Sequence, residues 1–125
     1  MKHLLTILLI TSTLLGFALA DNAKGKAIYD QSCQTCHNPS TATLMKAPEA
    51  HNAKDWKERM TAAEAIAKKE PKKYKNALAV LVTSVKNGKG AMAPGGMCHN
   101  QTASDKKCSD ADYSAAIKFM MSSKK

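Results

Sequence analysis

Among the 125 residues of this chain, Cys33-Gln34-Thr35-Cys36-His37 constrains the fold more than any other stretch. Two thiols at this spacing with an imidazole directly after them form the attachment signature of a covalently bound c-type haem. The spacing has a chemical reason. Each thiol can form a thioether with a haem vinyl group, and the next residue places an imidazole nitrogen on the proximal face of the iron. Three neighbouring side chains would then hold a cofactor around which a small chain has to fold. Cys-x-x-Cys also serves redox dithiols and half zinc sites, so the surroundings of the motif must decide among the three.

The chain opens with Lys2 and an apolar run from Leu4 to Leu19 that ends in Ala18-Leu19-Ala20, the small-x-small pattern of a secretory cleavage site. Residues 1–20 are therefore expected to be a cleaved signal, with export to the periplasm and no stable membrane insertion afterwards. An uncleaved anchor is the alternative, although Thr6, Thr11, Ser12, Thr13 and Gly16 interrupt the run and it is short for a span. Cleavage would leave residues 21–125 as one domain with a modest core, to which a large cofactor would add apolar volume. With Lys2 gone, the 19 Lys and Arg become 18 against 10 Asp and Glu, a formal charge of +8. That balance suits acidic partners. Nucleic acid is excluded as a partner, because an exported chain rarely meets it and the scattered lysines have few aromatics between them for base stacking.

Export permits disulfides. The four cysteines form two pairs, Cys33 with Cys36 and Cys98 with Cys108, and the second pair reads as a structural bridge. One zinc held by Cys33, Cys36, Cys98 and Cys108 is the rival, but it gives His37 no role. A thiol-exchange module would bring a βαβ pattern, and none is visible.

No repeat, low-complexity tract or linker divides residues 21–125, and one all-α domain is the economical reading. A first helix is predicted after an Asp21 or Asn22 cap, running through Ala27 and Ile28 towards Ser32, with Gly25 and Tyr29 on one face. Pro39 and Pro48 argue against helix between Asn38 and Pro48. Asn52 can cap a helix carrying Trp56, Met60, Ala63, Ile66 and Ala67, until Pro71 breaks it. Tyr74, Ala77, Leu78, Leu81, Val82 and Val85 form the apolar stripe of another helix, read as core positions and not as a cofactor box, which Asn87-Gly88 should end. The glycine-rich segment 88–96 must be a loop. Ser109-Asp110-Ala111-Asp112 resembles a capping box and opens a last helix bearing Tyr113, Ala116, Ile117 and Met120, with Phe119 beside them.

If His37 takes one axial position of an iron, a methionine is the leading choice for the other, since a thioether on a loop can approach the distal face and favours the ferrous state. Met92 sits in the glycine-rich loop and Met97 close by. Met45, Met60, Met120 and Met121 are better explained by core packing, and His51 and His99 are alternative ligands.

These residues together resemble the class I cytochromes c, and within them the cytochrome c5 group, over nearly the whole of residues 21–125. The resemblance implies an all-α class I cytochrome c fold, a small helical domain wrapped around one covalently bound haem c. Gly25 and Tyr29 stand where the family's first-helix glycine and aromatic stand, which places them on the last helix near Phe119. Pro48 looks like the proline whose carbonyl holds the proximal imidazole. Trp56 and Arg59 match a Trp-x-x-Arg pair whose indole and guanidinium meet the haem propionates. Met92-Ala93-Pro94-Gly95-Gly96 resembles the ligand loop, and Cys98, Cys108 and Ser109-Asp110 follow the group's disulfide and C-terminal helix. Two departures stand out: the loop lacks one proline and its lysine, and the stretch from Trp56 to Met92 is long, with added basic surface around Lys68 to Lys75. By this resemblance the chain is a single-electron carrier and not an enzyme. Its partners would be respiratory redox proteins with acidic patches, met by Lys46 and Lys89 near the haem edge. A haem peroxidase or sensor with a labile distal ligand is the alternative.

Overall fold

The computed structural model describes residues 19–98 and 108–124. All of the regular elements among these residues are helical. They are α1 (19–28), a π-helical turn (Tyr29–Cys33), α2 (Gln34–His37), α3 (Ala42–Met45), α4 (Ala53–Lys69), α5 (Ala77–Asn87) and α6 (Asp110–Met121). The only extended pairing among them is one isolated antiparallel bridge between Lys89 and Met92. No helix of the described residues is long and apolar enough to cross a membrane.

α1 differs at its start from the expectation. Asp21 and Asn22 lie inside it, because the helix already includes residues 19 and 20. Leu19-Ala20 are strong helix formers, and nothing between them and Asp21 breaks a helix. At its other end α1 widens into the π turn, where the Gln34 N–H donates to the carbonyl of Tyr29. A π turn inserts one extra residue into a helix and is common at functional sites. Here it re-aims the chain just before the Cys33–His37 motif.

The segment from Asn38 to Pro48 is not wholly irregular. Asn38 ends α2, its side-chain oxygen accepting from Ser40 N–H at 2.8 Å and Thr41 N–H at 3.2 Å. The four proline-free residues Ala42–Met45 then close one turn, stopped by Lys46 in the left-handed region at φ 53°. α4 starts at the expected Asn52 cap, which accepts from Lys54 and Asp55 N–H, and ends before Pro71, which restricts the residue preceding it. α5 begins later than the stripe suggested. The Asn76 side chain caps it by accepting from Ala79 N–H at 3.0 Å, which leaves Tyr74 outside. α6 opens on the expected capping box: Ser109 Oγ accepts from Asp112 N–H, and the Asp112 carboxylate accepts from Ser109 N–H. Lys24, hydrogen-bonded to Asp112, and the Ser109 cap hold that carboxyl below its ordinary value.

Two apolar clusters hold the helices together. The larger contains Ala50, Trp56, Val82, Cys98, Tyr113, Ile117 and Met120. The smaller contains Ala63, Ala77 and Val80 between α4 and α5. α1 reaches the larger cluster by close approach to α6. Gly25 is buried, and a Cβ there would collide with the Ala115 carbonyl and stand 2.9 Å from Phe119 Cβ. One turn on, the Tyr29 ring packs on Phe119 with centroids 5.4 Å apart. Cys98 and Cys108 are paired, with Cα atoms 5.7 Å apart, across the segment 99–107. His99 falls outside the described residues.

Two outcomes follow from this packing. Gly25→Val should force α1 off α6 and cost about 1–3 kcal/mol, the usual range for overpacking. Thermal melts followed by circular dichroism should show it as a fall of roughly 4–8 °C for each kcal/mol lost. Replacing both Cys98 and Cys108 by serine should cost up to about 3 kcal/mol on the chain-entropy view while leaving the helical spectrum in place. Titration of two free thiols in the unreduced native protein would refute the pairing.

Candidate haem site

The motif residues are positioned by a short, densely bonded segment. His37 ends α2, and its backbone carbonyl accepts from Ala50 N–H at 2.8 Å. Its ring donates Nδ1–H to the carbonyl of Pro48 at 2.8 Å. That bond selects the tautomer: with the proton on Nδ1, Nε2 keeps its lone pair and is the nitrogen available to a metal. Burial pulls the imidazole below its ordinary value, against the opposing pull of the Pro48 bond, and the Arg59 guanidinium lowers it further. The ring is therefore neutral near pH 7, the state a metal ligand needs.

The loop that carries Pro48 is itself tied down. Glu49 N–H donates to the Asp55 carboxylate at 3.0 Å. His51, at φ 66°, donates its backbone N–H to Met120 O at 2.6 Å, and its ring Nδ1 lies 2.7 Å from Ser122 O. His51 packs edge-on to Phe119 and does not line the cavity described next, so it is a structural link between the loop and the end of α6.

Beside His37 opens a cavity of about 700 Å³, a volume typical of cofactor sites. Cys36, His37, Pro48, Trp56, Arg59 and Met92 all line it, so residues spread over more than fifty positions of sequence meet at one place. Cys33 lies just off the lining, packed against the larger apolar cluster. Both motif thiols are unpaired. Lys46, Arg59 and Lys89 bring positive charge to the same cavity.

Trp56 departs from its expected role. It is buried, and its indole N–H donates to the Glu49 carbonyl at 2.9 Å, so this donor is already committed and not aimed at a carboxylate of a cofactor. Its ring is instead a wall of the cavity, near-parallel to the His37 ring at 6.2 Å. Arg59 spends one donor on Lys46 O at 3.0 Å and has others left for an anion.

The methionines sort differently from the sequence reading. Met97 is 44% exposed and away from the cavity. Met45 and Met120, read as ordinary packing, line it together with Met92. Leu81 and Val85, read as core positions, line it as well, along with Ser84 and Ile117. The signal in the sequence was the width of the α5 stripe. Ala77 and Val80 fill the smaller cluster and Val82 the larger, while Leu81, packed against both clusters, and Val85, packed against the larger, are only half-buried and border the cavity as well.

Met92 is held by the loop after α5. Gly88 adopts φ 78°, a region glycine reaches without steric cost, and a Cβ there would meet Met92 O at 2.7 Å and Pro94 N at 2.9 Å. Gly95 N–H donates to Val85 O at 2.8 Å, and the Tyr113 hydroxyl donates to Gly95 O at 3.3 Å. The loop is thus fastened to α5 on one side and α6 on the other.

The rival readings of the cysteines fail on this geometry. Cys98 is bonded to Cys108, and among the described residues no group of three or more His, Cys, Asp or Glu side chains could hold a metal ion. Burial, then the neighbouring Cys36, pushes the Cys33 thiol up to about 11. A thiol-exchange nucleophile requires the opposite shift. Two unpaired thiols, an imidazole with one nitrogen anchored, and an apolar cavity with three cations in its lining fit a haem bound through two thioethers.

No curated protein matches the chain. The family model described as "Cytochrome C oxidase, cbb3-type, subunit III" matches residues 20–120. That span takes in the cysteine-histidine motif and every side chain named above as lining the cavity, and the chain accordingly belongs to this family of class I c-type cytochrome domains.

Proposed function

We propose that the protein is a monohaem electron carrier of cytochrome c5 type, in which His37 and Met92 would hold the iron. The observation that carries this reading is the His37 Nδ1–H bond to Pro48 O beside a cavity that Met92 also lines. Haem c, when bound through Cys33 and Cys36, supplies reversible one-electron chemistry at iron. The protein's part is to hold and to exclude. Pro48 keeps the proximal ring in one orientation and raises its basicity. Trp56, Leu81, Val85 and Ile117 keep water from the cavity, and Arg59, Lys46 and Lys89 neutralise carboxylates at its edge. A loop braced by Gly88, Gly95 and Tyr113 presents Met92 with little reorganisation between oxidation states. The c5 assignment draws its support from the Cys98–Cys108 pair followed by the Ser109 capping box.

The same reading makes this an exported, periplasmic protein that serves respiratory redox partners through their acidic patches. Lys46 and Lys89 are exposed at the cavity and are the candidates for steering. Each contributes little alone, because an exposed pair is screened by salt.

Cys33→Ser or Cys36→Ser should sharply lower the yield of mature holoprotein, and a pyridine haemochrome spectrum of native c type at full yield would refute covalent attachment. Met92→Ala should abolish the sulfur-to-iron charge-transfer band of the oxidised protein, lower the potential and raise peroxidase activity. If Met45→Ala or Met120→Ala does so instead, the ligand is misassigned. Oxidation of the ferrous protein by hexacyanoferrate(III), an anion, should slow steeply as the Debye length shortens from ~10 Å at 0.1 M salt to ~3 Å at 1 M. A flat stopped-flow profile would rule out steering by the lysines.

A further inference from the structure

The basic run Lys68, Lys69, Lys72, Lys73 and Lys75 has no part in the haem cavity. Lys68 and Lys69 end α4, Lys72, Lys73 and Lys75 lie in its connection to α5, and all five lysines are exposed. Lys73 pairs with Glu70 at 3.5 Å and lies over the Tyr74 ring. Lys68, Lys69, Lys72 and Lys75 make no ion pair among the described residues. Under this turn runs a second, open groove of about 510 Å³, lined by the apolar side chains of Met60, Ala67, Tyr74 and Leu78 with Lys68, Lys75 and Glu64. Met60, Ala67 and Tyr74 rest on the smaller apolar cluster, so the groove has a packed base of its own.

We propose that this groove is a second docking site, which takes an acidic segment of a partner protein that carries an apolar side chain. Three observations support that occupant. The charge is complementary, since five lysines outnumber Glu64 and Glu70 around it. The position is separate from the cavity: Arg59, at the cavity, precedes Lys68 by nine residues, about 14 Å along a helix. That exceeds the Debye length of about 8 Å at physiological salt, so these lysines do not set the approach of a partner to the cavity mouth. The shape is concave with apolar walls. A bilayer of anionic headgroups would touch the lysines and leave the groove unfilled, whereas a peptide segment can set carboxylates on the lysines and a side chain against Met60 and Tyr74. Such a contact would tether a partner while leaving the cavity mouth free for electron exchange.

The test uses isotope-labelled ferrous holoprotein and a short synthetic peptide of aspartate and glutamate with one central phenylalanine. Amide shifts should move around Met60 and from Ala67 to Leu78, and the K68E/K72E/K75E variant should bind the peptide about tenfold more weakly or worse. The haem spectrum of that variant should be unchanged, which separates this result from the fate of the haem reading. Three results would overturn the proposal: shifts confined to the surroundings of Lys46 and Lys89, equal affinity for a peptide with serine in place of the phenylalanine, or binding to phosphatidylglycerol vesicles without binding to the peptide.

Discussion

The hydrogen bond from His37 Nδ1–H to the Pro48 carbonyl governs the arrangement of the site. One bond decides which ring nitrogen carries the proton, which way the ring faces and how far the loop stands from α2. A proline is well suited to the post, because its fixed φ narrows the conformations of the carbonyl it presents. The bond works only if the loop around it is rigid, and that rigidity comes from elsewhere. Ala50 bonds the His37 carbonyl, Glu49 is held by Asp55 and Trp56, and His51 is fastened to the last turn of α6. An imidazole eleven residues from its hydrogen-bond acceptor is thus oriented by contacts that run to the far end of the chain.

The second constraint is the close approach of α1 to α6 at Gly25. With no side chain there, α6 comes near enough for Tyr29, His51 and Phe119 to form one aromatic group. That group lies behind the motif, while Ile117 and Met120 on the same helix line the cavity. α6 therefore shapes the site from behind and from within. The division of the apolar residues into two clusters adds a further consequence. The smaller cluster holds α4 against α5 beside the turn, and Leu81, which packs on both clusters and lines the cavity, is the side chain that joins the two regions.

Much of the local structure was legible because backbone chemistry is local. The Asn52 cap and the Ser109-Asp112 capping box could be read from spacing alone, since each closes within a few residues, and the Cys33-to-His37 motif that pointed to the family lies inside the span the family model matches. The readings that moved are those where local rules leave two outcomes open. Asp21 and Asn22 are good caps, but a helix that has already formed at Leu19-Ala20 passes through them. Tyr74 keeps the period of the α5 stripe, but the Asn76 side chain takes an N–H of the first turn and starts the helix after it. Trp56 has a donor that suits a carboxylate, yet Glu49 O lies within its reach and takes it.

The sequence by itself determined the helical class, the spacing of the cysteine-histidine motif and the glycine-rich loop that carries Met92, because these follow from residue type and short-range periodicity. Only the tertiary structure decided which apolar side chains face the cavity and which fill the core. Leu81 and Val82 are neighbours of the same kind on one helix, but one lines the cavity and the other is buried in the main cluster. The same holds for Met92, Met45 and Met120, which come from a loop, a single helical turn and the last helix to one cavity. Burial is a property of what packs against a side chain, and those partners lie tens of residues away, beyond the range of any local pattern.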